Sequence, residues 1–319
     1  MSKKDKKETK KKYRSFLDFY PTYRIFHYIN QRFFGNKNNN TLLSNRFYNE
    51  VGYYPNINNP KSLNEKILWL TQYYQNPQTT ICADKYRVKQ YIKEQLGEDL
   101  SVPTIATYNS VYDIDLEKLP EKFVLKVNWG WGGKQVIVVK DKSSADINEI
   151  RAKIDDWIQP WNNFYYISYD WGYKHMKPVI YAEKYIEEMD GQLVDYKIYC
   201  FNGKPEMVLV ISDRFSDNIT SKTFFDTSWN ILPFKRPNAI VNPDIKKPEA
   251  WNEMLSIAEK LSKPFPLLRL DFYLVDNKPY IGEMTFHPES GFEPFEPREW
   301  DFKLGEKLKL PEKLITDKE

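Results

Sequence analysis

Long apolar runs are missing from this 319-residue chain. No stretch approaches the roughly 20 residues that a helix needs to cross a bilayer, and no secretory leader pattern opens it. Cysteine is scarce as well: Cys82 and Cys200 cannot build a disulfide framework, so the context reads as cytoplasmic with both thiols reduced. The three histidines, His27, His175 and His287, lie far apart, and no Cys/His spacing supports a zinc site. No Gly-x-Ser-x-Gly elbow occurs, and no serine or cysteine has an obvious base nearby, which argues against the usual covalent hydrolases. There is no Walker A loop, no dinucleotide fingerprint and no internal repeat.

Aromatics are plentiful at 16%, with nine tryptophans, which argues for a folded chain that buries a real core. The net charge of +3 is unevenly placed, because residues 1–14 hold eight Lys/Arg against two acids. The remainder is slightly acidic, which argues against nucleic acid as a partner. The lysine-rich start should be solvated and disordered. Behind it come Phe16, Leu17, Phe19, Tyr20, Tyr23, Ile25, Phe26, Tyr28, Phe33 and Phe34. A basic tail beside an aromatic amphipathic stretch has the character of an anchor at an anionic membrane surface, spanning residues 1–34. A helix packed on its own domain is the alternative, and both stay open.

Residues 36–40 form a short polar linker. The spacing predicts a helix over 84–96, capped by Asp84, striped by Val88, Tyr91, Ile92 and Leu96, and stopped by Gly97. Lys85 would then sit in its first turn, against the dipole preference for acids there. Strands are expected at 122–127, 135–140, 178–186, 194–201, 206–212, 268–275 and 279–285, with a helix over about 249–262. Several hairpins among mixed elements point to an α+β fold rather than a doubly wound sheet.

Asp271 and Glu283 carry the most chemical information. A three-residue turn at Asp276-Asn277-Lys278 would put Asp271 opposite Glu283, and Arg269 opposite Thr285. Side chains so placed are roughly 5 Å apart, and like charges there destabilise a sheet. A cation relieves that repulsion, and Mg²⁺ is typically held by one or two carboxylates plus phosphate oxygens. Two unrelated surface acids are the plainer reading. Lys126 sits within the apolar strand Phe123–Asn128 and calls for an anionic partner. After it, Trp129-Gly130-Trp131-Gly132-Gly133-Lys134 makes a glycine-rich turn between strands, open to an anion or simply a hairpin connection. Glu183 ends an apolar strand and Lys197 lies within another; each alone reads as an ordinary edge or surface residue. Asp113-Ile114-Asp115 resembles the Asp-x-Asp that binds metal and nucleotide-sugar in some glycosyltransferases.

Taken in order, these pieces resemble the ATP-grasp superfamily, and more closely its TupA-like branch, named for teichuronopeptide synthesis and found in cell-surface polysaccharide clusters. The matching stretches are Asn64–Leu70, Cys82–Lys85, Phe123–Lys126, Asp195–Lys197 with Cys200–Gly203, and Gly282–Phe286 with Ser290–Phe292; they span about residues 45 to 310. The resemblance implies two α+β subdomains clasping ATP behind a reduced helical N-terminal region. The corresponding segments are a tail and linker (1–40), a helical region (41–105), a subdomain with glycine-loop lid and adenine pocket (106–190), a C-terminal subdomain with the metal site (191–312) and a short tail (313–319). It implies that Lys85 and Lys126 grip the α- and β-phosphates and that Gly130, Gly132, Gly133 and Lys134 form the lid. Glu183, Lys184, Tyr185 and Ile186 would line the adenine pocket. Lys197 and Arg269 would face the reacting phosphoryl group, while Asp271, Glu283 and Thr285 would hold Mg²⁺. Many superfamily members have Asn where Thr285 stands, and branch members often show His-Gly-Ser-Gly-Gly where this chain has Trp129-Gly130-Trp131-Gly132-Gly133. The two tryptophans either stack on nucleotide or sugar, or stiffen the lid.

The implied reaction is ATP-dependent joining of an amine, such as an amino acid, to a carboxylate such as a uronic acid, on a surface polysaccharide (capsule or teichuronopeptide) or its lipid-linked precursor. A glycosyltransferase-type role, an ATP-grasp kinase and a membrane-docked protein without turnover are the alternatives. A peripheral place at the inner face of the cell membrane would suit the lipid-linked substrate.

Overall fold

The computed structural model describes residues 25, 26, 28, 29, 39–131, 135–186, 194–212 and 220–316. The lysine-rich start, most of the aromatic stretch behind it, and Gly132, Gly133 and Lys134 lie outside the described residues.

Four helices lead in: α1 (Asn39–Val51), α2 (Leu63–Tyr73), α3 (Pro77–Ala83) and α4 (Val88–Leu96). An antiparallel sheet follows, built from β1 (Thr104–Tyr108), β2 (Phe123–Val127), β3 (Val136–Val139) and β4 (Ile180–Lys184) in the order β1-β4-β2-β3. Between β3 and β4 run α5 (Ile147–Trp157), α6 (Tyr165–Ser168) and α7 (Trp171–Lys174). A second antiparallel sheet contains β5 (Asp195–Phe201), β6 (Lys204–Ser212), β7 (Ser221–Asp226), β8 (Leu267–Val275) and β9 (Lys278–Thr285) in the order β7-β6-β5-β8-β9. Helix α8 (Trp251–Ser262) precedes β8, and α9 (Glu299–Lys307) follows β9. The architecture is α+β, as the hairpin-rich pattern predicts.

Alternation decides which face of the second sheet is free for chemistry. Ile198, Cys200, Val208, Val210, Leu268, Leu270 and Phe272 point to one side and share a core with Trp251, Met254, Ala258 and Leu261 of α8. The register brings Phe224, Leu209, Lys197, Asp271 and Glu283 into one row on the other face, across all five strands. Beside it run Asp226, Met207, Tyr199, Arg269 and Thr285. Apolar members of this face join Leu63, Ile67 and Leu70 of α2 and Leu304 of α9. The charged end lies over β5, β8 and β9.

Several boundaries differ from expectation, each for a local reason. The helix predicted over 84–96 begins only at Val88. Asp84 turns its Oδ1 to the backbone N–H groups of Tyr86 and Arg87, both at 2.9 Å, so a tight turn separates α3 from α4. Lys85 occupies that turn instead of a helix. Gly97 does stop the helix, in the left-handed region at φ 82°. No individual element was expected at β1, β7, α1, α3, α5, α6, α7 or α9; both strands are sheet edges, where strand propensity depends most on context.

The β8–β9 hairpin reaches its register by a route other than the expected three-residue loop. Its turn has two residues, Asp276 and Asn277, both left-handed at φ 49° and 59°, as such tight hairpins require. That turn alone would set Asp271 opposite Gly282. A bulge between Asp271 and Phe272 shifts the ladder by one residue, so Asp271 faces Glu283 and Arg269 faces Thr285. Glycine leaves the bulge room for its neighbour: a Cβ at 282 would lie 2.4 Å from the Tyr273 ring, which would have to shift.

Candidate functional site

On the second sheet, Asp271 is buried and gathers two cations. Arg269 donates to it through Nε (2.7 Å to Oδ1) and Nη2 (2.9 Å to Oδ2), and Lys197 donates to Oδ2 from the adjacent strand. Burial pushes the Asp271 carboxyl up, but Arg269 and Lys197 outweigh it and hold it below the usual carboxylate range. Arg269 also donates to Thr285 Oγ1 at 3.2 Å and lies 3.6 Å from Glu289 Oε1. On the adjacent strand β9, Glu283, the ladder partner of Asp271, accepts from Lys85 Nζ at 2.8 Å.

On the first sheet, Lys126 of β2 and Glu183 of β4 lie diagonally on one face, since Val124 pairs with Glu183 and Lys126 with Tyr181. Lys126 donates to Glu183 Oε2, and Lys89 donates to Oε1 at 2.5 Å. Lys89 comes from the first turn of α4; burial lowers its ammonium pKa, and Glu183 opposes that shift.

Lys85 spans the two sheets. Its backbone N–H donates to Asn128 O at 3.1 Å, just beyond β2, while its Nζ reaches Glu283 on β9. Asn128 is buried and binds Asp84 Oδ2 at 2.6 Å and Val179 N–H at 2.8 Å, so the Asp84–Asn128 contact fixes the Lys85 turn against β2 and β4. A second connection runs from Ile281 N–H to Leu100 O at 2.7 Å. Lys85, Lys126, Lys197 and Arg269 are thus each matched by a carboxylate of Glu283, Glu183 or Asp271, with the Lys85 turn joining the two sheets. Such an array suits a polyanion, because each ammonium can exchange its carboxylate for a phosphate oxygen.

The model of the TupA-like ATP-grasp family matches residues 65–309. The chain belongs to that family. It accordingly has the ATP-grasp fold. Among solved structures, it is similar to an L-amino acid ligase from Bacillus licheniformis (19% identity, TM-score 0.45, 74% of this chain and 53% of that one). It is similar also to D-alanine–D-alanine ligase from Bacillus anthracis (20%, TM-score 0.38, 65% and 57%), and to the ATP complex of the latter (17%, TM-score 0.36, 65% and 54%). The chain thus spans about half the length of these ligases. No curated protein matches it significantly.

The stretches on which the expected resemblance rests divide into two kinds. Lys85, Lys126, Lys197, Asp271 and Glu283 converge as described. Asn64–Leu70 instead belongs to the scaffold: Asn64 binds Asp301, and Lys66 Nζ caps α9 through Gly305 O and Leu308 O, both at 2.7 Å. Glu65 accepts the N–H groups of Asn56, Lys61 and Ser62. Trp129 is buried and donates to Trp157 O at 3.1 Å, which removes it from any stacking role on a ligand. Trp131 stacks on Phe164 with centroids 5.7 Å apart. Gly130 is buried beside them at the base of the turn.

The other residues expected to line an adenine pocket follow Glu183 at the end of β4. Lys184 is exposed and gives its N–H to Pro103 O at 3.0 Å; Tyr185 lies under Lys122, and Ile186 is half-buried. Asp113 and Asp115 each cap a short 3₁₀ turn, Asp113 through Ser110 N–H and Asp115 through Glu117 N–H. Cys82 and Cys200 are buried and their thiols are pushed up to about 12, chiefly by burial, so neither is a nucleophile or a thiolate ligand.

Three contributors escaped the sequence reading. Lys89 stands four residues from Lys85, a spacing that hints at a shared direction, but Asn128 and Tyr173 give no local signal. Tyr173 is fully buried; burial first, then Glu283, pushes its hydroxyl well above the usual value.

Mg²⁺ can be tested against the donors present. Among the described residues, no three of His, Cys, Asp and Glu come together as a metal cage. Two facing carboxylates remain, each already against an ammonium or guanidinium. That set fits a divalent cation delivered with phosphate oxygens, which complete its coordination, rather than a resident metal.

Proposed function

We propose that the protein is an ATP-dependent carboxylate–amine ligase that modifies a surface polysaccharide or its lipid-linked precursor. The observation that carries the reading is the Lys197–Asp271–Arg269 cluster beside the Lys85–Glu283 pair, cations and acids interleaved over one sheet end. Asp271 and Glu283 would hold Mg²⁺, with Thr285 beside them, and the metal would supply charge neutralisation at the transferring phosphoryl group. Lys85 and Lys126 would hold the nucleotide phosphates from two sides, and Lys197 and Arg269 would stabilise charge developing on the phosphoryl oxygens. Glu183 to Ile186 would line the base, and Gly130 to Lys134 would cover it. On this reading, residues 106–190 form the base-side lobe and 191–312 the metal-side lobe. Phosphorylation of the acceptor carboxylate makes it electrophilic, and an incoming amine displaces phosphate to form an amide. Asp113 and Asp115, the support for a glycosyltransferase role, are engaged as caps.

The test is incubation with Mg-ATP, uronic-acid glycans and amino acids. Stoichiometric ADP, phosphate and amide are expected; consumption of a sugar nucleotide without ATP use would overturn the reading.

The membrane half of the proposal rests on the basic start and on residues 25–29. Tyr28 packs edge-on against Tyr166 at 5.1 Å, while Ile25 and Ile29 are exposed. Deleting residues 1–34 is expected to reduce sedimentation with anionic vesicles. Unchanged sedimentation would rule the anchor out.

A further inference from the structure

Glu183 has two cationic partners where one would neutralise it. Its Oε1 accepts from Lys89 and its Oε2 from Lys126, and its side chain is only 5% exposed. The two lysines differ in their other ties. Lys89 also donates to Val102 O at 2.7 Å and to Thr104 Oγ1 at 2.8 Å, so its three N–H donors all meet protein acceptors. Thr104 faces Glu183 in the β1–β4 ladder, which locks that geometry. The Lys126 side chain is the more open, 28% exposed against 12% for Lys89. Tyr181 completes the surroundings, its ring 5.3 Å from the Lys89 ammonium.

A buried carboxylate that loses its sole counter-ion is strongly unfavourable. With Lys89 fixed in place, Lys126 can leave Glu183 without creating that state. We propose that Lys89 is a positioning residue, a permanent counter-ion of Glu183 that frees Lys126 to bind a phosphate-bearing ligand. The inference rests on the nucleotide reading above. Without Lys89, Glu183 would hold Lys126 for itself, and the ligand would have to compete with a buried anion.

Calorimetric titration of the full chain with MgADP tests this. Lys89→Met is expected to raise Kd by roughly ten- to a hundred-fold, within the usual range of coupling between sites. Lys89→Arg should restore most of the affinity. In a Glu183→Gln background the anion is gone, so adding Lys89→Met should change Kd by less than about two-fold, the scatter of independent sites. A purely structural lysine would weaken binding equally in both backgrounds, and that result overturns the proposal. So does a folded Lys89→Met protein with wild-type affinity. If Lys89→Met does not fold, Lys89→Gln, which keeps a donor toward Val102 and Thr104, carries the same expectation. Failure of the wild-type chain to bind MgADP would refute the nucleotide reading itself, whereas wild-type binding that ignores Lys89 refutes only this step.

Discussion

Lys126→Ala is expected to lower kcat/KM for ATP by about 10²–10³-fold, the order of loss when one partner of a hydrogen-bonded charge pair to a bound anion is removed. The expectation follows from where the ammonium sits. Lys126 lies near the end of β2, an inner strand of the first sheet, two residues before the Asn128 that holds the Lys85 turn, and its side chain is more exposed than that of Glu183. No other described cation on that strand replaces it. The fold should survive the change, because Glu183 keeps Lys89 at 2.5 Å and is not stranded as a bare buried charge. Melting should therefore shift by no more than about 4 °C, the order expected for 1 kcal/mol in a chain of this size. An enzyme-coupled ADP assay beside a thermal melt separates the two effects. Near-normal turnover in a folded Lys126→Ala protein would remove Lys126 from the site.

Lys126 was legible in the sequence because a charge inside an apolar strand is conspicuous wherever it points. The Asp271–Glu283 facing was legible as well, although the turn between them was not. The ladder depends only on the sum of turn length and bulge, and Gly282 absorbs the residue that the shorter Asp276–Asn277 turn leaves over. Glu183 was visible as an acid ending a strand, but its neighbours were not. Lys89 is 94 residues away in the chain, and its role exists only once β4 lies beside β1 and α4. Asp84 read as a helix cap for the same local reason that it closes a turn: a short carboxylate takes nearby N–H groups in either case. What separates the two outcomes is Asn128, 44 residues on, which holds the other carboxylate oxygen. Beside the glycines, Trp129 could have been a ligand platform or a stiffener of the loop, and its N–H finds Trp157 O within the core. Asn64–Leu70 carried no visible chemistry, and its polar residues instead fasten α2 to α9 and to the segment after β9.

Gly305→Ala should be the most damaging single methyl group that can be added to that scaffold. Helix propensity argues the other way, since alanine in a helix interior is favoured over glycine by about 1 kcal/mol. Here Gly305 has no left-handed backbone to protect, and it lies within α9. The close approach of α2 decides the sign. A Cβ at 305 would stand 2.0 Å from Lys61 O, 2.7 Å from Ser62 C and 2.8 Å from Leu63 N, all backbone atoms that no rotamer change can move aside. Relief requires α9 to back away from the start of α2. That motion stretches both Lys66 contacts to Gly305 O and Leu308 O and loosens the Asn64–Asp301 bonds. Overpacking of this kind costs about 3 kcal/mol, which corresponds to a fall in Tm of about 6–12 °C. Gly97→Ala makes the contrast, because nothing lies within 4 Å of a Cβ there and only its φ of 82° opposes a side chain. That variant should lose about 1 kcal/mol, the strain of one left-handed alanine. Calorimetric melts of the two variants should therefore differ by several degrees, with Gly305→Ala the lower. Equal melting, or stabilisation by Gly305→Ala, would mean that the α2–α9 contact is looser than the 2.0 Å approach requires.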